Sequence, residues 1–313
     1  MSKLIIVSNR VPLAGAKTEA GGLSVALGQA LKNHGGGAWL GWSGSVSATP
    51  EIHECHENHV RYRTMDFNQA DYDDFYAGFC NSILWPLCHY RMDLCQFTPS
   101  MYEGYKRVNQ KFAREVADVV GPNDIVWAHD YHLLLMGSEL RALNVQQRLG
   151  FFLHIPFPVP EVFVGLPHHA ELLQGLSAYD VIGFQTDKDL QAFLRCLTDI
   201  FKVPVISQIA ENIYEITAFG RTFRAGKFSI SIDTNELMLA ADRSEIDPET
   251  IKLKESLGDR PLLIGVDPLD YTKGLVERFT AYQYFLARYP QYKGNVSYIQ
   301  IAPPTRTDVK IIH

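Results

Sequence analysis

The sequence predicts an α/β fold built on a doubly wound, mainly parallel sheet. The first observation is a series of short apolar runs: LIIVS (4–8), AWLGW (38–42), DIVWAHD (124–130), GFFLHIP (150–156), DVIGFQT (180–186), PLLIGVD (261–267) and SYIQIAP (297–303). Near-continuous apolar strands are those covered on both faces, as in a parallel sheet. The second is what lies between them. GGLSVALGQALKNH, SMYEGYKRVNQKFAREVADVV and DKDLQAFLRCLTDIF place apolar residues three and four apart, the helical spacing. The third is that no repeat, low-complexity tract or long linker interrupts this alternation.

Taken in order, LIIVS is too short for a signal segment or a membrane span and reads as a first buried strand. HECHENH (53–59) offers His53, Cys55, His56 and His59 as metal ligands. They are too crowded for the two-pair spacing of a structural zinc site. The expectation is therefore a solvated loop before the strand HVRYRTMDF, and no metal. DYDDFYAGFCNSILWPLCHYR (71–91) brings Tyr76, Trp85, His89, Tyr90 and Arg91 together. Such aromatic density is usually core, although aromatic faces beside donors also suit a hexose. Residues 202–232 alternate in the β manner and read as a strand-rich edge. A helical stretch, TNELMLAADRSEIDPETIKLKESLG, follows before a fresh strand at Pro261. The expected domains are 1–232 and 233–313. The second holds little more than strand, loop, helix and strand, too few elements to bury a sheet on both faces. Such a sheet exposes an apolar edge that favours pairing with another chain, so a homo-oligomer is an expectation.

At 313 residues the chain can bury one large core or two smaller ones. A net charge of −6 argues against general nucleic-acid binding, which needs a basic face, but leaves room for a local basic pocket. The five cysteines are odd in number and form no CxxC, which with no signal segment predicts free thiols and a cytoplasmic protein.

Ligands of open parallel sheets bind where strands run out into loops. Those positions hold Asn9 and Arg10, then Gly21 and Gly22 before a helix, then Asp130-Tyr131-His132, then His154. Two glycines let backbone N–H groups approach an anion, yet glycine serves a turn equally well. On position alone His132 and His154 divide evenly between a site and backbone capping. GVDPLDYTKGLVERF (265–279) has the strand–loop–helix form that holds a phosphate, with Lys273 in its loop.

SNR (8–10), AGGL (20–23), GWSG (41–44), LWP (84–86), HYR (89–91), WAHDYHLL (127–134), FFLHIPFP (151–158), GFQT (183–186) and LDYTKGL (269–275) together resemble trehalose-6-phosphate synthase. The resemblance runs from end to end of the chain. It implies a retaining glycosyltransferase of the GT-B type, with two Rossmann-like domains facing a cleft, the N-terminal one complete and the second only begun. The implied reaction moves glucose from UDP-glucose to glucose 6-phosphate, giving trehalose 6-phosphate and UDP, without metal or other cofactor and without membrane or nucleic-acid partners. By motif, Arg10, Tyr76, Trp85 and Arg306 would hold the acceptor phosphate and ring, and Asp130 its hydroxyls. His154 would contact the transferred glucose. Gly22, with Gly21 before it, would serve the donor side, and Lys273 would neutralise the pyrophosphate. Catalysis of this kind is mostly positioning and charge stabilisation, with no protein nucleophile.

Two departures fall on the donor side. Pro268 stands where the family usually has an arginine, removing a charge and a backbone N–H. Family members also continue beyond the position of His313 with an acidic loop for ribose and donor glucose. A lesser change puts Ser229 and Ser231 where the family tends to have proline and glycine. The alternatives are a non-catalytic sugar-phosphate-binding or regulatory homologue, which Pro268 favours, and a pseudo-glycosyltransferase joining cyclitols.

Overall fold

Ile5, Ile6 and Val7 are each at most 1% exposed, so the first strand is covered on both faces, as its unbroken apolar run requires. A computed structural model of the chain describes residues 2–11, 22–203 and 205–305. They form two units, Met1–Ile230 and Ser231–His313.

The strands of the first unit are β1 (Leu4–Arg10), β2 (Gly37–Val46), β3 (Ile52–Glu57), β4 (Val60–Phe67), β5 (Ile125–His129), β6 (Arg148–Leu153), β7 (Val181–Phe184), β8 (Val205–Ala210), β9 (Ile213–Ala218) and β10 (Arg221–Lys227). Among the described residues they form one sheet in the order β3-β4-β2-β1-β5-β6-β7-β10-β9-β8. The sheet is parallel from β4 to β10 and antiparallel at both margins, where β3 pairs β4 and β8 and β9 pair on beyond β10.

The antiparallel β3 corrects the expectation of a loop at HECHENH. Asn58 and His59, at φ 49° and 65°, make a two-residue turn between the paired residues Glu57 and Val60. Two consecutive left-handed residues match the twist of a hairpin. Asparagine–histidine can adopt them, but less readily than asparagine–glycine, so the turn carries only a weak signal in the sequence. Every β3 side chain is exposed, as suits an edge strand carrying charged and histidine residues. His53 meets Asp66 at 3.1 Å, and no group of three or more metal-ligating side chains occurs among the described residues. All five cysteines are free thiols.

The first unit's longer helices are α1 (Gly22–His34), α2 (Pro99–Ala117), α3 (Met136–Ala142), α4 (His169–Leu176) and α5 (Asp187–Arg195). α2 starts because Thr98 is extended and Pro99, with φ preset, occupies the first turn. It buries Tyr102, Tyr105, Val108, Asn109, Phe112 and Val116, one stripe at helical spacing. Each large apolar side chain so buried contributes roughly 1.5–3 kcal/mol. α5 is capped by the Thr186 hydroxyl, which accepts from the Asp189 N–H at 3.3 Å. Residues 72–84, part of the aromatic segment, wind as a π-helix whose buried face includes Phe75, Phe79, Ile83 and Leu84.

In the second unit, the helical stretch after residue 233 breaks into α6 (Thr234–Ser244) and α7 (Pro248–Leu257). Asp247 ends the first path and caps the second, its carboxylate accepting from Thr250 N–H at 2.9 Å, with Pro248 in the first turn. Strands β11 (Leu262–Val266) and β12 (Ser297–Ile301) pair in parallel around α8 (Leu275–Arg288). Ile264 and Val266 are 62% and 63% exposed, as expected of a two-stranded sheet. No helix among the described residues is long and apolar enough to cross a membrane.

Candidate functional site

Register fixes which residues share the C-terminal edge of the sheet. Arg10 pairs with Trp42, His129 with Phe152, and Leu153 with Phe184. Arg10, Asp130, His154 and Gln185 therefore emerge along one edge of the first unit.

Arg10 follows an irregularity in β1 after Val7. Ser8 pins that irregularity: its hydroxyl donates to the Arg10 carbonyl at 2.9 Å and accepts from the Trp39 indole at 2.8 Å. The exposed guanidinium lies against Gly44, which sits at φ +92°. A Cβ on Gly44 would stand 2.9 Å from both Nε and Nη2 of Arg10. Gly44 is thus required twice over, for its left-handed backbone and for the space beside it.

Next to Arg10 runs a chain of aromatic contacts. Trp42 stacks on Phe67 at 4.8 Å and meets Tyr76 at 5.1 Å. Tyr76 lies nearly parallel to His132 at 6.3 Å. His132 touches Tyr131, which meets Trp85 at 5.8 Å. Tyr76 is half-buried, whereas Trp85 is 7% exposed, so most of its ring belongs to the core. His89 fixes the turn after Trp85 through Nδ1, 2.7 Å from the Trp85 carbonyl oxygen.

Asp130 has φ +74° and ψ 169°, a conformation that essentially only glycine adopts without strain. Its backbone N–H donates to the Phe152 carbonyl at 2.8 Å, and its Oδ1 accepts from the His154 N–H at 3.2 Å. The strained backbone is held by bonds to the neighbouring strand, and the carboxylate is turned towards the strand ends.

His154 was read from sequence; its neighbour His129 was not. Nδ1 of His129 lies 3.0 Å from Nε2 of His154. Burial, and then the neighbouring His154, hold His129 well below the usual imidazole range. Burial brings His154 down to about 4. Both histidines line a cavity of about 450 Å³ walled by apolar groups that include Leu27, Trp127, Phe152 and Phe228. A histidine ending an apolar strand gives no periodicity signal, and only strand register reveals the pair.

Gln185, also absent from the sequence-based site, clamps the chain where the first unit ends. Its amide donates to the Ile230 carbonyl at 3.1 Å and accepts from the Ile230 N–H at 3.0 Å. Its carbonyl accepts from the Ser229 hydroxyl at 2.8 Å.

In the second unit, Lys273 is exposed at the end of a short 3-10 turn, Tyr271–Lys273, just before Gly274 at φ +62° and α8. The loop is ordered by Asp270, which accepts from the Thr272 N–H at 2.9 Å, and by the Leu269 N–H donating to Pro303 at 2.9 Å. Arg278 pairs with Asp267 at 2.6 Å, beside Pro268. Gly22 is the first residue of α1; Gly21 and Arg306 lie outside the described residues. The first unit thus sets Arg10, Asp130 and His154 at strand ends of one sheet and links Tyr76 to Trp85 through His132 and Tyr131, and the second unit gives Lys273 a defined loop.

The family model for glycosyltransferase family 20 matches residues 2–313. A trehalose-6-phosphate synthase of Sinorhizobium fredii is 41% identical over 99% of this chain and 67% of its own length. One from Klebsiella pneumoniae is 42% identical over 99% of this chain and 64% of its own. A crystal structure of an α,α-trehalose-phosphate synthase (UDP-forming) from Burkholderia xenovorans, in complex with glucose-6-phosphate, superposes with a TM-score of 0.93 at 41% identity, covering 99% of this chain and 68% of that one. A structure from E. coli bound with UDP-2-fluoro glucose gives 0.88 at 40% identity, covering 99% and 66%. The solved relatives are GT-B trehalose-phosphate synthases, and the mixed α/β architecture with its large, mainly parallel sheet agrees with them. The chain spans about two thirds of the length of the curated relatives it matches. With the match running over nearly every residue, the chain belongs to glycosyltransferase family 20.

Proposed function

We propose that the protein is an α,α-trehalose-phosphate synthase, transferring glucose from UDP-glucose to glucose 6-phosphate with retention, and releasing UDP. The observation that supports this is that Arg10 and the strained Asp130 both stand at strand ends of one sheet, while the Tyr76 ring meets Trp42, the strand partner of Arg10, and lies beside His132, two residues after Asp130. That set suits a phosphorylated hexose: a guanidinium fork for phosphate oxygens, an aromatic face for the ring, a carboxylate for hydroxyls. The Burkholderia xenovorans relative bound to glucose-6-phosphate and the E. coli relative bound with UDP-2-fluoro glucose support the same pair of substrates.

Arg10, with Arg306, binds the acceptor's 6-phosphate; Tyr76 and the exposed edge of Trp85 border its ring; Asp130 accepts hydrogen bonds from its hydroxyls. His154 contacts the transferred glucose as a neutral imidazole. Gly21 and Gly22 allow backbone N–H groups near the donor at the start of α1, and Lys273 offsets the growing negative charge on the UDP pyrophosphate. The acceptor hydroxyl attacks the face the nucleotide departs from: its C–O bond to the glucose forms as the anomeric C–O bond to UDP breaks, and its proton passes to the departing phosphate oxygen. No metal or other cofactor enters this account, and the cytoplasm is the proposed location. Of the acceptor residues, Arg10, Tyr76, Trp85 and Asp130 belong to domain 1–232; Arg306 and the donor-side Lys273 belong to domain 233–313.

A second reading, binding of the sugar phosphate without turnover, is favoured by Pro268, which supplies no charge at a pyrophosphate loop. UDP release from UDP-glucose by the purified chain, with and without glucose 6-phosphate, separates the two. Acceptor-dependent release supports the transferase. Glucose 6-phosphate raising Tm with no release supports the second reading. Neither signal removes both.

A further inference from the structure

His129 ends β5, is 1% exposed, and faces the ring of His154 with centroids 5.3 Å apart. Within an apolar cavity two imidazolium ions would repel, and burial already disfavours charge on each. Near neutral pH both rings are therefore neutral, each with one N–H and one lone pair. The 3.0 Å hydrogen bond between His129 Nδ1 and His154 Nε2 then carries a single proton, and that proton can be placed in two ways.

If His154 donated through Nε2, His129 would carry its own proton on Nε2. That atom is buried and has no hydrogen-bond partner among the described residues. An orphaned buried N–H is rarer in folded proteins than an unused acceptor lone pair. If His129 instead donates through Nδ1, its buried Nε2 is only an unused lone pair. His154 must then hold its proton on Nδ1. The second arrangement leaves no N–H buried without an acceptor in the pair.

We propose that His129 is a positioning residue that fixes His154 as the Nδ1–H tautomer, making His154 a hydrogen-bond donor, not a base, at the ends of β5 and β6. The hydrogen bond made by one ring nitrogen determines the proton on the other, the same device that orients imidazoles in metal and hydrolase sites. That the acceptor of this bond is an oxygen of the transferred glucose rests on the proposed function; the tautomer itself does not.

Histidine-selective 15N labelling of the ligand-free chain at pH 7 reads the tautomer directly, with the His154 signals assigned by their loss in H154Q. The expected result is a protonated Nδ1 and an unprotonated Nε2 on His154; a protonated Nε2 overturns the proposal. Two variants test the cause. H129L removes the donor and is expected to let the Nε2–H form of His154 appear. H129N places an amide nitrogen where Nδ1 stood and is expected to restore the Nδ1–H form. His154 remaining wholly Nδ1–H in H129L would take the positioning role away from His129. The wild-type spectrum decides the tautomer even if a variant folds poorly. UDP-glucose binding to wild-type protein in the same buffer tests the proposed function separately, since its absence leaves the tautomer readable.

Discussion

Asp130 and His154 are tied end to end: the aspartate Oδ1 accepts the His154 backbone N–H at 3.2 Å, joining the loop after β5 to the end of β6. The bond constrains a residue whose φ of +74° is unfavourable for any side chain, so local strain and side-chain placement are coupled at one position. Strain of this kind persists where surrounding structure over-determines it, and it concentrates at sites of function.

Comparing D130A with D130G isolates that strain. Both lose the carboxylate, but only alanine keeps a Cβ in the disfavoured conformation. D130G is expected to be more stable than D130A by about 1–2 kcal/mol. Urea midpoints at fixed slope measure the difference; equal midpoints would mean the backbone relaxes and no strain is held there. Both variants are expected to lose glucose 6-phosphate binding.

Gly44 predicts a long-range effect on Arg10. A methyl at Gly44 would push into the guanidinium, so G44A is expected to weaken glucose 6-phosphate binding nearly as much as R10A. Loss of a charge-assisted contact of about 1.5–3 kcal/mol corresponds to roughly a ten- to hundredfold rise in Kd. Calorimetric titration checks it, with unphosphorylated glucose as control. If R10A binds glucose 6-phosphate as wild type does, Arg10 does not contact the phosphate.

P268R adds a cation to the loop that carries Lys273. The expected outcome is UDP affinity raised about tenfold, equivalent to 1.4 kcal/mol, with the gain shrinking as salt is added. An unchanged Kd would remove this loop from pyrophosphate binding.

The buried histidines predict how stability depends on pH. Unfolded imidazoles bind a proton near pH 6.5, whereas His154 in the folded chain does so only near 4. Above 6.5 both states are neutral and no penalty exists. As pH falls from 6.5 towards 4, the unfolded state takes up a proton that the folded state refuses, so stability declines. Wild type is expected to lose more stability than H154Q between pH 6.5 and 4.5 in parallel urea titrations. Equal losses would show that His154 is accessible to protons in the folded chain.

Much of the site's frame was legible in sequence because its signals are local. LIIVS, DIVWAHD and GFFLHIP announce strands by their apolar runs, and Arg10, Asp130 and His154 follow where such runs end. The hairpin at Asn58-His59 was missed because its turn lacks glycine, and the break between α6 and α7 because Asp247-Pro248 interrupts a pattern that otherwise continues.

The sequence by itself determined the alternation of strands and helices, the end of the sheet at which polar residues collect, and membership of the family, since periodicity, turn chemistry and motif order are properties of the chain. Tertiary structure alone decided which of those polar groups meet. His129 reaches His154 across 25 residues, Asp130 reaches the His154 N–H across 24, and the Arg10 guanidinium settles on Gly44. Each contact depends on strand register, which is set by pairing across the whole sheet, and a one-residue slip would turn every one of these side chains to the opposite face.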